Sequence, residues 1–215
     1  MTNKKSYTFA LILVTSLFFF WGFIHNLDPI LIPHLRNAFS LSHFQASLVD
    51  SAVFIAYFVM AIPAGIIMKR YGYKAGILIG LLFFALGCFL FVPAANTISY
   101  VFFLGALFVV ACGLTILETA ANPYVTVLGA PETAPRRLNL AQSFNGLGAF
   151  ISAMFLSKLV LSGTHYTRDT LPVDYAGGWD AYIQMETDSM KFPYLMLALL
   201  LVLIAIVFVF SKLPR

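Results

Sequence analysis

Long apolar runs separated by short polar connections dominate the chain. Each run approaches or exceeds the roughly 20 residues that an α-helix needs to cross a bilayer. The runs lie at about residues 7–38, 43–67, 75–94, 99–128, 138–162 and 192–210, and residues 163–190 are the one sizeable hydrophilic connection. This pattern predicts an all-α membrane protein in which residues 1–215 form a single bundle of six transmembrane helices.

The composition agrees with a membrane location. Of the 215 residues, 60% are hydrophobic and only 10% are charged, whereas soluble domains carry about 25% charged residues. The net charge of +4 is spread over several connections rather than gathered in a basic stripe, so we expect no binding to nucleic acid. Cys88 and Cys112 lie in apolar runs and are expected to act as small buried hydrophobic residues.

The basic residues predict the orientation of the chain. Of the 13 Lys and Arg residues, one lies within the fifth predicted helix and the others divide unequally between the two sides. Nine lie on the side of the termini: Lys4, Lys5, Lys69, Arg70, Lys74, Arg136, Arg137, Lys212 and Arg215. Three lie on the opposite side: Arg36, Arg168 and Lys191. Because cytoplasmic loops are enriched in Lys and Arg, both termini are expected in the cytoplasm, with residues 163–190 outside.

Two groups of three helices suggest 3+3 inverted repeats, as in one half of a rocker-switch transporter. The first helix of each group carries an acidic residue in an apolar run, Asp28 in one and Glu118 in the other. This agreement concerns position only, because the two groups share no evident sequence identity.

The most informative stretch is CGLTILETAANPYVTVLG at residues 112–129. An ionised carboxylate in hydrocarbon costs several kcal/mol or more, so Glu118 must face a polar cavity or a partner, be protonated, or both. Asn122 lies four residues later and Thr115 three residues earlier, on the same helix face. Pro123 leaves one carbonyl group of the preceding turn without its helical partner. We therefore predict a polar binding site at membrane depth, with Glu118 and Asn122 in it.

Other polar side chains suit a carbohydrate ligand. Asn26 and Asp28 form a second cluster with His25 on the first helix, and Gln142 and Asn145 lie on the fifth. Amide side chains offer a sugar hydroxyl both a donor and an acceptor. No metal-ligand pair, nucleophile with a base, or phosphate-binding glycine loop occurs, so we predict neither an enzyme nor a metal site.

A basic glycine-containing turn resembles a known transporter motif. In GIIMKRYGYKAGI at residues 65–77, the spacing of Gly65, Arg70, Gly72 and Lys74 is similar to the loop 2–3 motif of the major facilitator superfamily. The resemblance implies a role for these four residues in conformational change. Lys69 stands where the motif has aspartate, the one departure from it in this turn.

Four longer segments resemble the fucose–proton symporter family of that superfamily, which includes glucose/galactose permeases. They are FFFWGFIHNLDPILIPHL (18–35), SLVDSAVFIAYFVMAIPAGIIMK (47–69), LETAANPYVTVLG (117–129) and RLNLAQSFNGLGA (137–149). The resemblance implies one half of a twelve-helix fold in a bacterial-type inner membrane. It also implies that Glu118 couples protons and binds sugar, and that Asn26, Gln142 and Asn145 line the sugar cavity.

The first helix departs from the family pattern. Family members carry an aspartate where this chain has Pro29, and the aspartate here is Asp28. A shift of one residue turns a side chain by about 100° around a helix. Either Pro29 distorts the helix enough to return Asp28 to the cavity for proton coupling, or the protonation role differs.

The combined prediction is symport of L-fucose or a related hexose with H⁺, without a cofactor, in contact with membrane lipid. Because the superfamily uses twelve helices, the chain is expected to be an amino-terminal half that needs a second six-helix half. The alternatives are a homodimeric half-size transporter and a sugar-binding sensory module that does not transport.

Overall fold

A computed structural model describes residues 4–26, 42–160, 166 and 169–211, and these residues are almost entirely helical, without a β-strand among them. The helical segments are α1 (Lys4–His25), a long segment His43–Thr97, α4 (Tyr100–Val127), α5 (Ala134–Val160) and α6 (Gly178–Phe210), with a short 3-10 turn at Pro131–Thr133. The predicted all-α membrane fold is confirmed.

The segment His43–Thr97 consists of two helices that meet at Gly72. This residue has φ 82° and ψ 171°, a backbone conformation that glycine adopts readily and other residues do not. We name the helices on its two sides α2 (residues 43–71) and α3 (residues 73–97). A Cβ placed on Gly76 would lie 3.0 Å from Met68 Cγ, although eight residues of straight helix span about 12 Å. The chain therefore bends sharply at the basic turn.

Capping residues define where the helices begin. Ser42 and Gln45 form a capping box at the start of α2: the Gln45 amide donates to Ser42 Oγ at 3.2 Å and the Ser42 amide donates to Gln45 Oε1 at 3.0 Å. Both interactions satisfy N–H groups that the first helical turn leaves unpaired. Between α3 and α4, Ile98 adopts a left-handed conformation and Ser99 Oγ accepts a hydrogen bond from the Phe102 amide.

The core lies around α3 and α4, which approach closely through glycines. A Cβ on Gly80 would lie 2.8 Å from the Leu117 nitrogen, and one on Gly87 would lie 2.6 Å from the Val110 nitrogen. Small residues are a general means of bringing membrane helices together. The ring of Phe91 on α3 also stacks on Tyr194 of α6, at 3.8 Å between centroids. Helix α1 packs mainly against α5.

Four segments of the described chain are long and apolar enough to cross a membrane. They are Tyr7–His25, Ser47–Thr97, Tyr100–Val127 and Gly178–Phe210. The second contains both α2 and α3. Each of the four is thus a candidate membrane span by length and composition.

The last helix begins earlier than the hydropathy indicated. The prediction started it at about residue 192 and treated 163–190 as a loop, whereas α6 starts at Gly178. Its first turns are held by polar pairs: Gln184 Nε2 donates to Asp188 Oδ1 at 2.7 Å, and Lys191 pairs with Asp188 at 2.5 Å. Such pairs stabilise a polar helix, and a polar helix carries no hydropathy signal.

The first helix can be compared over part of its predicted length only. The prediction ran from residue 7 to residue 38, and α1 covers Lys4–His25. Residues 27–41, which include Asp28 and Pro29, lie outside the described residues.

Candidate functional site

The polar face of α4 is the centre of the candidate site. Two of its hydroxyl groups bind the backbone of their own helix: Thr115 Oγ1 donates to the Ala111 carbonyl at 2.8 Å, and Thr119 Oγ1 donates to the Thr115 carbonyl at 2.6 Å. Because these donors are committed, Glu118 and Asn122 are the side chains of this face that remain for other partners.

An open cavity of about 380 Å³ lies between α2 and α4. Its walls consist of Tyr57 and Ala61 from α2 and of Thr115, Glu118, Thr119, Asn122 and Pro123 from α4. The half-buried Glu118 therefore lines a hollow inside the bundle. This placement agrees with the prediction that a carboxyl group in this run must face a polar cavity or a partner.

Two titratable side chains from other helices act on Glu118. The Tyr57 hydroxyl on α2 is hydrogen-bonded to its carboxyl group, and His25 at the carboxyl end of α1 interacts with it electrostatically. Helices α1, α2 and α4 thus contribute to one electrostatic cluster.

One of the two predicted amide side chains of α5 lies at the edge of this cluster. Gln142 Nε2 donates to Asn122 Oδ1 at 3.2 Å, which joins α5 to the polar face of α4. Asn145 Nδ2 donates to the Phe18 carbonyl of α1 at 3.2 Å. Both bonds are long for their type, so another polar group could replace them at small cost.

The predicted site residues are therefore only partly brought together. Glu118, Asn122 and Gln142 form one continuous group. Asn145 is bonded to the α1 backbone, and Asn26 Nδ2 donates to the Gly22 carbonyl of its own helix at 2.8 Å. The part that Asp28 plays stays a prediction, since the residue lies outside the described region. Among the described residues, no group of three or more His, Cys, Asp or Glu side chains is placed to hold a metal ion.

Comparison with known proteins assigns the family. The sequence profile described as Major Facilitator Superfamily matches residues 9–215. The chain belongs to the Major Facilitator Superfamily. The resemblance noted from the basic turn and the longer segments is confirmed.

Within this superfamily, the chain is similar to sugar transporters. It is 48% identical over 213 residues to a glucose/galactose transporter of Brucella abortus, covering 99% of this chain and 48% of the relative. It is 44% identical over 213 residues to the L-fucose-proton symporter of Escherichia coli K12, covering 99% and 49%. The crystal structure of the superfamily transporter FucP in the outward conformation matches with a TM-score of 0.87 and 44% identity, covering 98% of this chain and 51% of that one. The chain thus spans about half the length of the relatives it matches.

The superfamily turn between α2 and α3 makes contacts within this half. Gly72 supplies the positive φ at which the chain bends. Lys74 Nζ donates to the carbonyl groups of Val209 at 2.9 Å and Ser211 at 2.8 Å, at the end of α6. Arg70 is exposed, and its guanidinium lies 5.4 Å from the Tyr71 ring centroid. A Cβ on Gly65 would meet open space. One of the four predicted residues, Lys74, therefore links the turn to another helix.

Two residues that sequence reasoning missed are prominent in the structure. Tyr57 reaches Glu118 from α2, and no spacing along the chain relates two residues so far apart. Arg137 is buried at the start of α5 and holds the end of α4. A basic residue shortly after the end of a helix is a known cap for free carbonyl groups, and this signal could have been used.

Proposed function

We propose that this chain forms the amino-terminal half of a proton-coupled symporter for L-fucose or a related hexose. The observation that carries the proposal is that the Glu118 carboxyl group, within a segment apolar enough to span a membrane, lines an open cavity next to hydrogen-bonding side chains from α2 and α5. Intramembrane acidic residues are costly and typically serve transport of protons or substrates. The names of the similar transporters support hexoses as the substrate class.

In the proposed cycle, Glu118 binds both the proton and the sugar. Protonation removes the charge, which lowers the cost of moving the site between the two membrane faces. Sugar hydroxyls then bind the neutral carboxyl group together with Asn122 and Gln142. Asn26, Asn145 and the second acidic residue, Asp28, complete the proposed site. Release on the alkaline side returns the proton to water.

The proposed orientation places both termini in the cytoplasm of a bacterial-type cell, with the bundle in the inner membrane. Basic residues in the α2–α3 and α4–α5 turns support it, because Lys and Arg accumulate on the cytoplasmic side. A second six-helix half, on the same or a separate chain, is proposed to close the open side of the cavity. Binding at the interface of two such bundles, followed by rocking of one against the other, is the usual arrangement in these folds.

Proteoliposome uptake with a pH gradient tests the function, using radiolabelled L-fucose and D-galactose. The chain is reconstituted together with a second six-helix half. The variant Glu118→Gln mimics the protonated carboxyl group, so we expect exchange of sugar across the membrane to persist and proton-driven accumulation to disappear.

The matched control is Glu132→Gln, at an exposed acidic residue in the turn after α4. This variant is expected to accumulate sugar like the parent. Accumulation that is unchanged in Glu118→Gln would refute the proposed role, and sugar binding without any proton flux in the parent would favour a sensory module instead.

A further inference from the structure

We propose that Tyr57 is a positioning residue for Glu118, whose hydroxyl group holds the carboxyl group in the cavity and sets the pH at which it exchanges its proton. The inference deepens the proposed function and rests on it for its role in transport. It stands on the shared cavity, on the close approach of α2 to α4, and on the hydrogen-bond donors available at Glu118.

The approach of α2 to α4 is built from small side chains next to Tyr57. Ala56 of α2 is fully buried against Ala111 and Cys112 of α4. Short side chains at such a crossing let two helix backbones come close together. The Tyr57 ring packs against the main hydrophobic core, so its position is fixed by both contacts and its hydroxyl reaches the opposite wall of the cavity.

A comparison of the hydrogen-bond donors that line the cavity identifies Tyr57 as the partner of Glu118 from another helix. The Thr115 and Thr119 hydroxyl hydrogens are used by backbone carbonyl groups, and Ala61 and Pro123 have no side-chain donor. Among the described residues that line the cavity, the hydroxyl of Tyr57 and the amide of Asn122 are the remaining donors, and the Asn122 side chain is engaged by Gln142 through its oxygen. Tyr57 is therefore the lining residue that donates to Glu118 from a second helix.

A phenol suits a group that must be both charged and neutral. Its hydroxyl donates to a carboxylate and can accept a hydrogen bond from a protonated carboxyl group, so Glu118 keeps a partner in either state. The bond to the charged form is the stronger one. Tyr57 thus favours the carboxylate. His25 of α1 is the other titratable group that acts on Glu118 in the described region. The side chain that α5 brings to the edge of this site, Gln142, is an uncharged amide.

Infrared spectroscopy on the chain in lipid nanodiscs tests the inference without requiring transport. The C=O stretching band of protonated Glu118 is assigned by its loss in Glu118→Gln and then titrated with protons alone. In Tyr57→Phe the carboxylate loses a donor, so we expect the titration midpoint to move to higher pH by about one unit or more. The band itself is expected to move, because the protonated carboxyl group loses its partner.

Tyr100→Phe is the matched control. It also removes one tyrosine hydrogen bond to α2, from the Tyr100 hydroxyl to the Gln45 carbonyl at 2.6 Å, but outside the cavity. We expect its midpoint and band to equal those of the parent. The same midpoint and band in Tyr57→Phe and the parent would overturn the inference.

A second measurement needs no substitution that could impair folding. Growth on 3-fluorotyrosine makes the tyrosine hydroxyls stronger donors, so the Glu118 midpoint is expected to move to lower pH, and no movement would count against Tyr57.

The outcomes of these experiments also distinguish failure of the Tyr57 inference from failure of the proposed function. A band shift in Tyr57→Phe without proton-dependent uptake by the parent would support the role of Tyr57 and reject symport. Loss of accumulation in Glu118→Gln with an unshifted band in Tyr57→Phe would support symport and reject the role of Tyr57.

Discussion

Glu118 and Arg137 are two ionisable side chains with different surroundings in the fold. Glu118 lines a hollow, and its neighbours leave it able to meet a ligand. Arg137 is 8% exposed, and its guanidinium donates to the carbonyl groups of Val125 at 3.1 Å, Thr126 at 2.7 Å and Ala130 at 2.9 Å. A fourth bond reaches Thr133 Oγ1 at 2.5 Å. Arg137 therefore serves the structure by capping α4, and Glu118 is the residue available for chemistry.

Replacement of Arg137 by Gln is expected to lower the free energy of unfolding by about 2–4 kcal/mol, because several partly buried carbonyl groups lose a charged donor. Thermal unfolding in detergent measures the effect. Arg136→Gln is the control, since Arg136 is exposed and adjacent in the chain. Equal unfolding midpoints of the two variants would contradict the capping role.

Gln142 provides a test of the proposed sugar contacts. Replacement by Ala removes one neutral hydrogen bond to the sugar, so we expect the KM for L-fucose uptake to rise about tenfold. Asn139→Ala is the control, because Asn139 lies one turn nearer the amino-terminal end of the same helix and is exposed. A similar KM for both variants would remove Gln142 from the site.

At the level of helices, backbone contact at glycines decides how α1 meets α5. A Cβ on Gly22 would overlap the Asn145 carbonyl group, and one on Gly148 would overlap the Phe19 carbonyl group. The glycines at 146 and 148 look equivalent in the sequence, yet a Cβ on Gly146 would meet open space. The same crossing places Asn145 against the α1 backbone.

Substitution of Gly148 by Ala should destabilise the bundle by about 1–3 kcal/mol, because a clash with backbone cannot be relieved by a side-chain rotation. Gly146→Ala should be neutral or slightly stabilising, since alanine is the better helix former. Unfolding midpoints of both variants in the same detergent give the comparison. A larger loss for Gly146→Ala would show that α5 faces α1 differently.

For the whole molecule, the open cavity and an exposed apolar face occur on the same helix. Tyr57 and Ala61 of α2 line the cavity, and Phe54, Phe58 and Ile62 beside them are 74%, 84% and 74% exposed. A face of this kind meets lipid or another protein in a membrane. Because the similar transporters are about twice as long, a second half is the proposed neighbour of the cavity.

Reconstitution of the chain alone and with a second six-helix half tests that proposal. Proton-driven accumulation of L-fucose or D-galactose is expected only in the combined sample, because alternating access needs two bundles that move against each other. Western blotting for equal amounts in the vesicles is the control. Equal accumulation by the chain alone would instead indicate a homodimeric transporter.

The sequence by itself determined the class of fold, and it singled out Glu118 as the central residue of the candidate site. Apolar runs of membrane length must form helices, because a bilayer offers no hydrogen-bond partner for free backbone groups. A single carboxyl group within such a run indicates a position that faces a polar cavity or a partner. The basic turn was also predictable, since Gly72 supplies the backbone angle that its bend requires.

Only the tertiary structure decided which other side chains meet Glu118. Tyr57 reaches it because Ala56, Ala111 and Cys112 let α2 and α4 approach, and that approach depends on three-dimensional packing rather than on spacing along the chain. The tertiary structure also decided that Gly148, and not Gly146, lies against the backbone of α1. It directs the Asn145 side chain to the Phe18 carbonyl group. Helix periodicity specifies a face, whereas the partner of that face is set by how all the helices pack together.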